Sequence, residues 1–208
     1  MRKETKDIII VIVIALVIVG FVKWLIFTPY TVNGASMHPT FETGDRVIVN
    51  QLSKKLNTLT HGDVIVFHED AERDFIKRII GLPGDRVAYE NDQLYINGQK
   101  VEEPYLKVNK KEKAAEFLTE NFDVSDIEGS EGRTMIPQGH YLVLGDNRMN
   151  SIDSRSYTVG LVPHKRIVGK AFVRYWPLER AKLQFNPGTS LCFNFFKCPR
   201  IKLKFRTF

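Results

Sequence analysis

A long apolar run near the N-terminus constrains this chain more than any other feature. Residues 8–27 read IIIVIVIALVIVGFVKWLIF, a stretch of 20 residues. At the rise of an α-helix, this length covers the ~30 Å hydrocarbon core of a bilayer. The one charge, Lys23, stands beside Trp24 near the end of the run, where it can reach the membrane interface. The run therefore predicts a transmembrane helix, because the apolar region of a cleavable signal peptide has only ~7–15 residues.

The charges around this run predict how the chain is oriented. Arg2, Lys3 and Lys6 precede it, whereas Arg46 is the one basic residue among the 20 that follow. The positive-inside rule then keeps the N-terminus in the cytoplasm and puts the body outside. We expect four parts: a cytoplasmic N-terminus (1–7), a transmembrane anchor (8–27), an extracytoplasmic domain (28–180) and a basic C-terminal tail (181–208).

The net charge of +6 comes from the tail, which holds six Lys or Arg and no acid, while the remaining 24 basic residues balance 24 acids. No basic stripe with interleaved aromatic residues precedes the tail, so we expect no nucleic-acid binding. Alternating apolar and basic residues in IKLKFR (201–206) fit an interfacial segment on anionic lipid, and a dispensable extension is the alternative. Both cysteines, Cys192 and Cys198, lie in the tail, and the sequence leaves their pairing open.

The body reads mostly as β-structure. β-branched or aromatic runs between turn signals predict strands at 45–50, 63–68, 74–80, 140–145 and 165–176. Asn97-Gly98, within LYINGQKV (94–101), predicts a type I′ hairpin. We expect one helix in the body, a solvated surface element at 110–121. A more polar stretch over about 89–137 indicates a small insertion on the main barrel or sandwich.

Ser36 stands nine residues beyond the apolar run, in VNGASMHPT (32–40). A serine hydroxyl attacks a carbonyl only if a base removes its proton, and histidine is the usual candidate. His38 is too close along the chain to be aimed at Ser36. The other histidines lie in stretches without an obvious orienting carboxylate: His61, His68, His140 and His164. His61 and His68 match no metal-ligand spacing, and we expect neither a metal nor a cofactor.

Lys77 offers a second route to a base. In DFIKRIIG (74–81), strand alternation puts Lys77 on one face with Phe75 and Ile79, and Arg78 on the other. Apolar surroundings disfavour the ammonium form and lower the pKa of a lysine from its usual ~10.4. Lys77 is therefore a candidate general base. The alternative is a lysine at the edge of a strand that reaches out to water.

A third polar stretch, LGDNRMNSIDSRSYTVG (144–160), follows an apolar strand. A plain loop can be this polar. The stretch also offers what a lysine base needs, namely a hydroxyl to hold the neutral amine and an acid–arginine pair to fix the loop.

Together the three stretches resemble the type I signal peptidases, in the single-span form of Gram-positive bacteria, from about residue 8 to Leu178. GASMHPT is similar to that family's serine box, DFIKRIIGLPGD to its lysine box, and GDNRMNSIDSR to its third box. The resemblance implies a serine endopeptidase with Ser36 as nucleophile, the Ser36 backbone N–H as oxyanion donor and Lys77 as general base. It also implies that residues 28–180 form a twisted, mostly antiparallel β-barrel or sandwich catalytic domain.

The resemblance also implies roles for the residues around the dyad. Ser151 would orient the lysine amine, Asp153 and Arg155 would form a supporting ion pair, and Asp146 would pair with Arg78 or Arg155. Gly34 lacks the hydroxyl that some family members place here as a second oxyanion donor.

The implied substrates are exported preproteins with small residues at −3 and −1 of the cleavage site. The implied surroundings are the lipid bilayer of the cell membrane and the Sec-type export machinery. Two alternatives stay open. One is a self-cleaving Ser/Lys protease related to the SOS-response repressors, which would carry a DNA-binding domain in place of the apolar run. The other is a non-catalytic, membrane-anchored β module that binds exported chains.

Overall fold

The computed structural model describes residues 3–70, 72–113 and 115–187. Its α-helices are α1 (Lys3–Ile26), α2 (Leu52–Lys55) and α3 (Lys107–Glu112). Short 3-10 helices lie at Pro104–Leu106, Val124–Asp126, His164–Arg166 and Leu178–Arg180. The strands are β1 (Phe27–Thr31), β2 (Arg46–Asn50), β3 (Val64–His68), β4 (Asp74–Gly81), β5 (Val87–Glu90), β6 (Gln93–Ile96), β7 (Gln99–Val101), β8 (Phe122–Asp123), β9 (His140–Leu144), β10 (Val162–Pro163), β11 (Ile167–Trp176) and β12 (Lys182–Leu183).

Eight of these strands form one antiparallel sheet in the order β1-β2-β11-β3-β4-β9-β10, with β12 paired to β11. The five strands predicted from β-branched runs are confirmed as β2, β3, β4, β9 and β11, with bounds that differ by at most two residues. β4 lies inside the sheet and pairs with β3 on one side and β9 on the other. The strand that carries Lys77 is therefore covered along both edges.

A second, smaller antiparallel sheet has the order β7-β6-β5-β8. The predicted hairpin is confirmed, because β6 pairs with β7 and the turn residues Asn97 and Gly98 have φ values of 53° and 78°. Positive φ at both central residues is what a type I′ turn requires. The small sheet overlaps the predicted insertion at 89–137. That insertion and the four-part division of the chain stay predictions.

The mainly antiparallel β fold is confirmed, but the closed barrel is not. Among the described residues, the large sheet runs from β1 to β10, and these two end strands do not pair with each other. β10 has two residues, and its Pro163 has no N–H to donate to a further strand. The sheet is therefore open at this edge.

α1 covers the apolar run except for its last residue, Phe27, which begins β1. The large side chains described along this helix are about half to two-thirds exposed, from Ile8 at 61% to Phe21 at 58%. Counting only the described residues, no helix is both long and apolar enough to cross a membrane. The predicted placement of Lys23 and Trp24 at the membrane interface concerns side chains that the structure does not describe. The same holds for Arg2, for the pairing of Cys192 with Cys198 and for IKLKFR at 201–206.

The helix predicted at 110–121 is wrong in extent, because α3 ends before Lys113, whose backbone is extended with ψ 132°. The carboxylate of Asp92 explains the early end. It accepts the N–H groups of Leu118 and Thr119 at 2.7 and 2.6 Å and pairs with Lys113 Nζ at 2.8 Å. Backbone donors that a longer helix would use are thus satisfied by another segment.

Buried apolar side chains pack these elements together in three clusters. Ile80 and Leu142 of the large sheet pack in one cluster with Tyr89 of the small sheet. A second cluster contains Met37 and Phe41, which come from the segment between β1 and β2. Fully burying an apolar side chain of this size contributes about 1.5–3 kcal/mol, so this otherwise irregular segment is firmly seated on the sheet.

Candidate active site

Strand β4 carries Lys77 into the interior of the protein. Lys77 is 3% exposed and pairs in the sheet with Ile65 of β3. Its Nζ lies 4.9 Å from the centre of the Phe75 ring, on the face that strand alternation predicts. The prediction of a buried lysine among apolar side chains is confirmed, and the alternative of a lysine reaching out to water is wrong.

The segment between β1 and β2 holds Ser36 against β4. Met37 and Phe41 are fully buried, and the Phe41 N–H donates to Met37 O at 2.9 Å, which fixes a turn immediately after Ser36. Gly34 has a φ of +94°, a conformation that residues with a Cβ rarely adopt. This backbone conformation favours glycine at the position and leaves no side-chain hydroxyl there.

Lys77 and Ser36 meet across these two elements. Lys77 Nζ donates to Ser36 Oγ at 2.7 Å and to the carbonyl of Ile76 at 3.1 Å. Burial lowers the pKa of Lys77 from 10.5 to about 8, although the charges of Asp153 and Asp146 act in the opposite direction and raise it. With that pKa, about a tenth of the amine is neutral at pH 7. A neutral amine at this distance can accept the proton of the Ser36 hydroxyl.

The loop after β9 closes over the Ser36 segment. Asn147 donates its backbone N–H to Ser36 O at 2.9 Å and its side-chain amide to Ala35 O at 3.1 Å. The loop backbone comes close to the Ser36 segment at Gly145, where a Cβ would lie 2.5 Å from Ser36 O. The backbone of the serine is thereby held by the third motif.

Arg78, the residue after Lys77, binds this loop from the other face of β4. Its Nε and Nη2 donate to the two oxygens of Asp146 at 2.8 and 2.6 Å, and Thr40 Oγ1 donates to the same carboxylate at 2.5 Å. Arg78 is 1% exposed and Asp146 is fully buried. Burial alone would lower the pKa of Arg78, but the Asp146 charge and hydrogen bonds raise it. Of the two partners left open for Asp146, the structure therefore selects Arg78.

Asp153 and Arg155 form the predicted ion pair. The Asp153 carboxylate accepts from Arg155 Nε and Nη2 at 2.9 and 2.8 Å and from the Gly145 N–H at 3.0 Å. Burial would raise the pKa of Asp153, but Arg155 and the Gly145 N–H lower it. Arg155 Nη2 also donates to Arg148 O at 2.8 Å. The ion pair thus fixes the loop backbone at two points.

The hydroxyl of Ser151 is not hydrogen-bonded to Lys77. Ser151 Oγ is buried and meets no partner with hydrogen-bond geometry. It lies near enough to Asp153 to contribute weakly to the lowered pKa of that carboxyl. Because a buried polar group without a partner destabilises the folded state, the presence of a hydroxyl here needs an explanation other than stability.

Two histidines do have carboxylate partners, contrary to the expectation from their local sequence. His61 Nε2 lies 2.6 Å from Asp85 Oδ2, and His68 Nδ1 lies 2.5 Å from Asp74 Oδ1. His38 is 4.0 Å from the nearest oxygen of Glu42. Within the described residues, the hydrogen bond to Ser36 Oγ comes from Lys77 and from no histidine. The geometry therefore favours the lysine route.

Comparison with known proteins decides the family. The family model described as signal peptidase, peptidase S26, matches residues 5–176. The chain belongs to this family. Signal peptidase IB of Staphylococcus aureus (strain MRSA252) is 47% identical over 188 residues, which cover 90% of this chain and 97% of that protein.

Two further relatives carry similar names. Signal peptidase I of Bacillus caldolyticus is 44% identical over 172 residues, covering 83% of this chain and 92% of that protein. A crystal structure of a signal peptidase I from Enterococcus faecalis V583 is 36% identical, with a TM-score of 0.49, and covers 54% of this chain and 95% of that one. On the family-model match and the two sequence relatives, the resemblance read from the three motifs is confirmed, and the chain is a serine endopeptidase of the signal peptidase class.

Asn109 of the candidate active site has no counterpart in the motifs. Asn109 of α3 donates its side-chain amide to His38 O at 2.9 Å and to Asp146 O at 2.6 Å. It ties the Ser36 segment to the loop after β9. The pattern around Asn109 is that of a solvated helix, so no sequence signal distinguishes this buried amide from its exposed neighbours.

Arg148 is the second residue missed. It is 2% exposed, and its guanidinium contacts Glu103 Oε1 at 2.5 Å, the Tyr89 hydroxyl at 2.6 Å and Gly145 O at 3.0 Å. Its place in the third motif was a signal that it matters. Its partner Glu103, 45 residues away, could not be identified from the sequence. Through Arg148 the small sheet holds the loop of the candidate active site.

A cleft of about 220 Å³ opens beside Ser36 and Lys77. Its walls come from the Ser36 segment, from β4 and from the loop after β9, and include Asn33, Gly34, Ala35, Asp74, Ile76, Asn150 and Ile152. The volume is below the ~300–1,000 Å³ of typical ligand pockets. Within the described residues, no group of acids, histidines or cysteines is arranged to hold a metal ion.

Proposed function

We propose that this chain removes N-terminal signal peptides from exported preproteins by a Ser36/Lys77 dyad. The observation that carries the proposal is the 2.7 Å hydrogen bond between Lys77 Nζ and Ser36 Oγ in a buried site. Membership of the peptidase S26 signal peptidase family supports the substrate class.

The dyad performs acyl transfer in two steps. Neutral Lys77 takes the proton of Ser36 as Oγ attacks the scissile carbonyl, and the resulting oxyanion is stabilised by the Ser36 backbone N–H. The Lys77 ammonium then protonates the amine of the mature protein as the C–N bond breaks. This leaves the signal peptide as an ester on Ser36. Neutral Lys77 next deprotonates a water molecule, which hydrolyses the ester and restores the hydroxyl.

The residues around the dyad hold it in place. Arg78 with Asp146, and Asp153 with Arg155, fix β4 and the loop after β9 relative to Ser36. Ser151 orients the Lys77 amine once substrate fills the cleft, which supplies a reason for its unpartnered buried hydroxyl. An amine on a four-carbon stem carries about 2 kcal/mol of side-chain entropy, so a hydroxyl that restricts it contributes to catalysis.

The cleft selects substrates with small residues at −3 and −1. Gly34 and Ala35 leave little bulk beside Ser36 and allow a substrate backbone to approach closely.

α1 is the membrane anchor, with the N-terminus in the cytoplasm and the catalytic domain, 28–180, outside the cell membrane. Its exposed apolar side chains support this proposal, because a helix that is apolar all round is normally buried in a core or in lipid. The Lys and Arg residues that precede it support the orientation. Ser36 follows nine residues after the predicted span. It can therefore reach the cleavage site of a preprotein delivered by the Sec-type export machinery.

The proposal is tested with the full chain in detergent and a preprotein that carries a signal peptide. Sequencing the product should place its new N-terminus directly after a cleavage site that has small residues at −3 and −1. Ser36→Ala should give no product while keeping the fold. Binding without cleavage by the wild-type chain would favour the non-catalytic β module instead. Cleavage confined to the chain itself would favour the self-cleaving protease.

A further inference from the structure

A short segment beyond the end of the family-model match packs against the candidate active site. This C-terminal strap, residues 182–187, begins with β12, which pairs with β11 through Val173 and Leu183. The Gln184 N–H then donates to Phe172 O at 3.0 Å. The family-model match ends at residue 176, so the strap lies beyond that match.

The strap inserts Phe185 beneath the Ser36 segment. Phe185 is 4% exposed, and its ring centre lies 4.4 Å from that of Phe41. Both rings belong to the cluster that contains Met37, the neighbour of Ser36, and Ile76, the neighbour of Lys77. One side chain of the strap is therefore packed with the residues adjacent to both members of the dyad.

The backbone of the strap binds Arg78. Phe185 O accepts from Arg78 Nη1 at 2.8 Å, and the same nitrogen donates to Gly62 O at 2.7 Å. Nε and Nη2 of Arg78 donate to Asp146, and Nη2 also donates to Thr40 Oγ1 at 3.5 Å. Because the guanidinium is fully buried, the carbonyl of Phe185 is one of the few acceptors that can satisfy it there.

Asn186 reinforces the second acceptor of Arg78. Its side-chain amide donates to His61 O and to Asp63 Oδ1, both at 2.8 Å. These residues flank Gly62, whose carbonyl receives Arg78 Nη1. The strap therefore supports Arg78 directly through Phe185 and indirectly through the turn at 61–63.

We infer that the C-terminal strap is a positioning element of the dyad, acting through Phe185 and Arg78 on the placement of Ser36 and Lys77. The expected effect of the strap on kcat rests on the proposed function. None of the strap residues touches the reacting atoms. A displacement of about 1 Å in a catalytic group can lower a rate about 100-fold, so packing at this distance is sufficient to affect turnover.

Two C-terminal truncations, each with α1 and the rest of the chain retained, test the role of the strap. A chain that ends at Pro187 keeps the strap and should have the kcat of the full chain. A chain that ends at Ala181 lacks the strap, and its kcat should be lower by about 10- to 100-fold, with KM changed by less than about threefold. Circular dichroism and thermal unfolding check that each chain is folded. A folded chain ending at Ala181 with unchanged kcat would overturn the inference.

Substitutions decide the matter if the shorter chain does not fold. Phe185→Ala should lower kcat, and Phe185→Leu, which keeps much of the apolar volume, should restore most of it. Leu183→Ala is the matched control, because Leu183 lies in the same strap with 67% of its side chain exposed. Equal kcat values for Phe185→Ala, Phe185→Leu and Leu183→Ala would show that the strap has no positioning role.

A measurement without substrate separates the strap from the proposed function. NMR titration of ¹⁵N-labelled lysine side chains follows the pKa of Lys77, which burial lowers to about 8. In Phe185→Ala this pKa should move toward 10.5, because Met37 loses a packing partner and the adjacent Ser36 then covers the Lys77 amine less closely. In Leu183→Ala the pKa should stay at about 8. If no preprotein is cleaved but the pKa of Lys77 changes in this way, the proposed function is wrong and the positioning role of the strap is supported. An unchanged pKa of Lys77 in Phe185→Ala would contradict the positioning role of the strap.

Discussion

Arg78 and Asp146 form a bidentate ion pair that is almost completely closed to water, with 1% and 0% of their side chains exposed. The pair joins β4 to the loop after β9, and on the opposite face of β4 Lys77 meets Ser36. Its partners lie 68 residues apart in the sequence. The ion pair therefore fixes the relative position of two of the three motifs on which the site depends.

Removing the charge of Asp146 should destabilise the protein strongly. Asp146→Asn leaves the buried guanidinium of Arg78 without its counter-charge, and breaking a buried ion pair in this way costs about 3–5 kcal/mol. Urea unfolding measures the loss. Glu131→Gln is the control, since Glu131 and Arg133 form an exposed pair at 2.6 Å, with 70% and 60% of their side chains exposed, and such pairs contribute little. A loss no larger for Asp146→Asn than for this control would be inconsistent with the role given to the pair.

Replacing Lys77 by an apolar residue should stabilise the protein at neutral pH. The pKa is about 8 in the folded state and 10.5 when exposed, so between these values the unfolded chain binds the additional proton. The unfolding free energy of the wild type therefore rises with pH across this window, and below it the folded state bears the full cost of the buried ammonium. That cost is about 3 kcal/mol.

Lys77→Met removes this cost together with activity. The variant should be more stable than the wild type at pH 7, by at most about 3 kcal/mol. The difference should shrink as the pH rises from 8 to 10.5. Denaturant unfolding at several pH values measures it. A variant that is less stable than the wild type at pH 7, or a gap that does not change with pH, would argue against a buried, destabilised ammonium.

Ser151→Ala should separate catalysis from stability. Because Ser151 Oγ is buried without a partner, its removal should leave the unfolding free energy unchanged or raise it by about 1 kcal/mol. Turnover should fall by roughly 10- to 1000-fold, equivalent to about 1.4–4 kcal/mol of barrier, while preprotein binding changes much less. Ser151→Thr should keep part of the rate if its methyl group fits.

Ser154→Ala provides the comparison for stability. Ser154 Oγ accepts the Val143 N–H at 3.0 Å, so this variant should be destabilised. Unchanged turnover in Ser151→Ala, or a loss confined to substrate affinity, would mean that Ser151 serves only the shape of the loop.

The sequence predicted what depends on local pattern. Strand alternation placed Lys77 with Phe75, and β-branched runs located the five principal strands. The type I′ turn at Asn97-Gly98 also follows from local preference, since both residues tolerate positive φ. Three motifs in order then indicated that Ser36 and Lys77 belong to one site.

The sequence could not predict contacts that only the tertiary fold creates. Asn109, Glu103 and Phe185 reach the site from segments without a motif, at separations of 37 to 107 residues from the groups that they contact. Capping by Asp92 shortened a helix that its own composition favours. In each case the deciding hydrogen bond comes from a segment that is distant in the sequence.

The pH dependence of single-turnover cleavage tests most directly the claim that neutral Lys77 is the base for Ser36. The full chain in detergent is mixed in excess with a preprotein, and the rate constant for cleavage is measured from pH 5 to pH 10. If neutral Lys77 is the base, the rate should rise with pH through an apparent pKa of about 8, the value to which burial lowers Lys77. A limb near ~6.5, the ordinary pKa of histidine, that disappears on replacing His38 or His68 would contradict it.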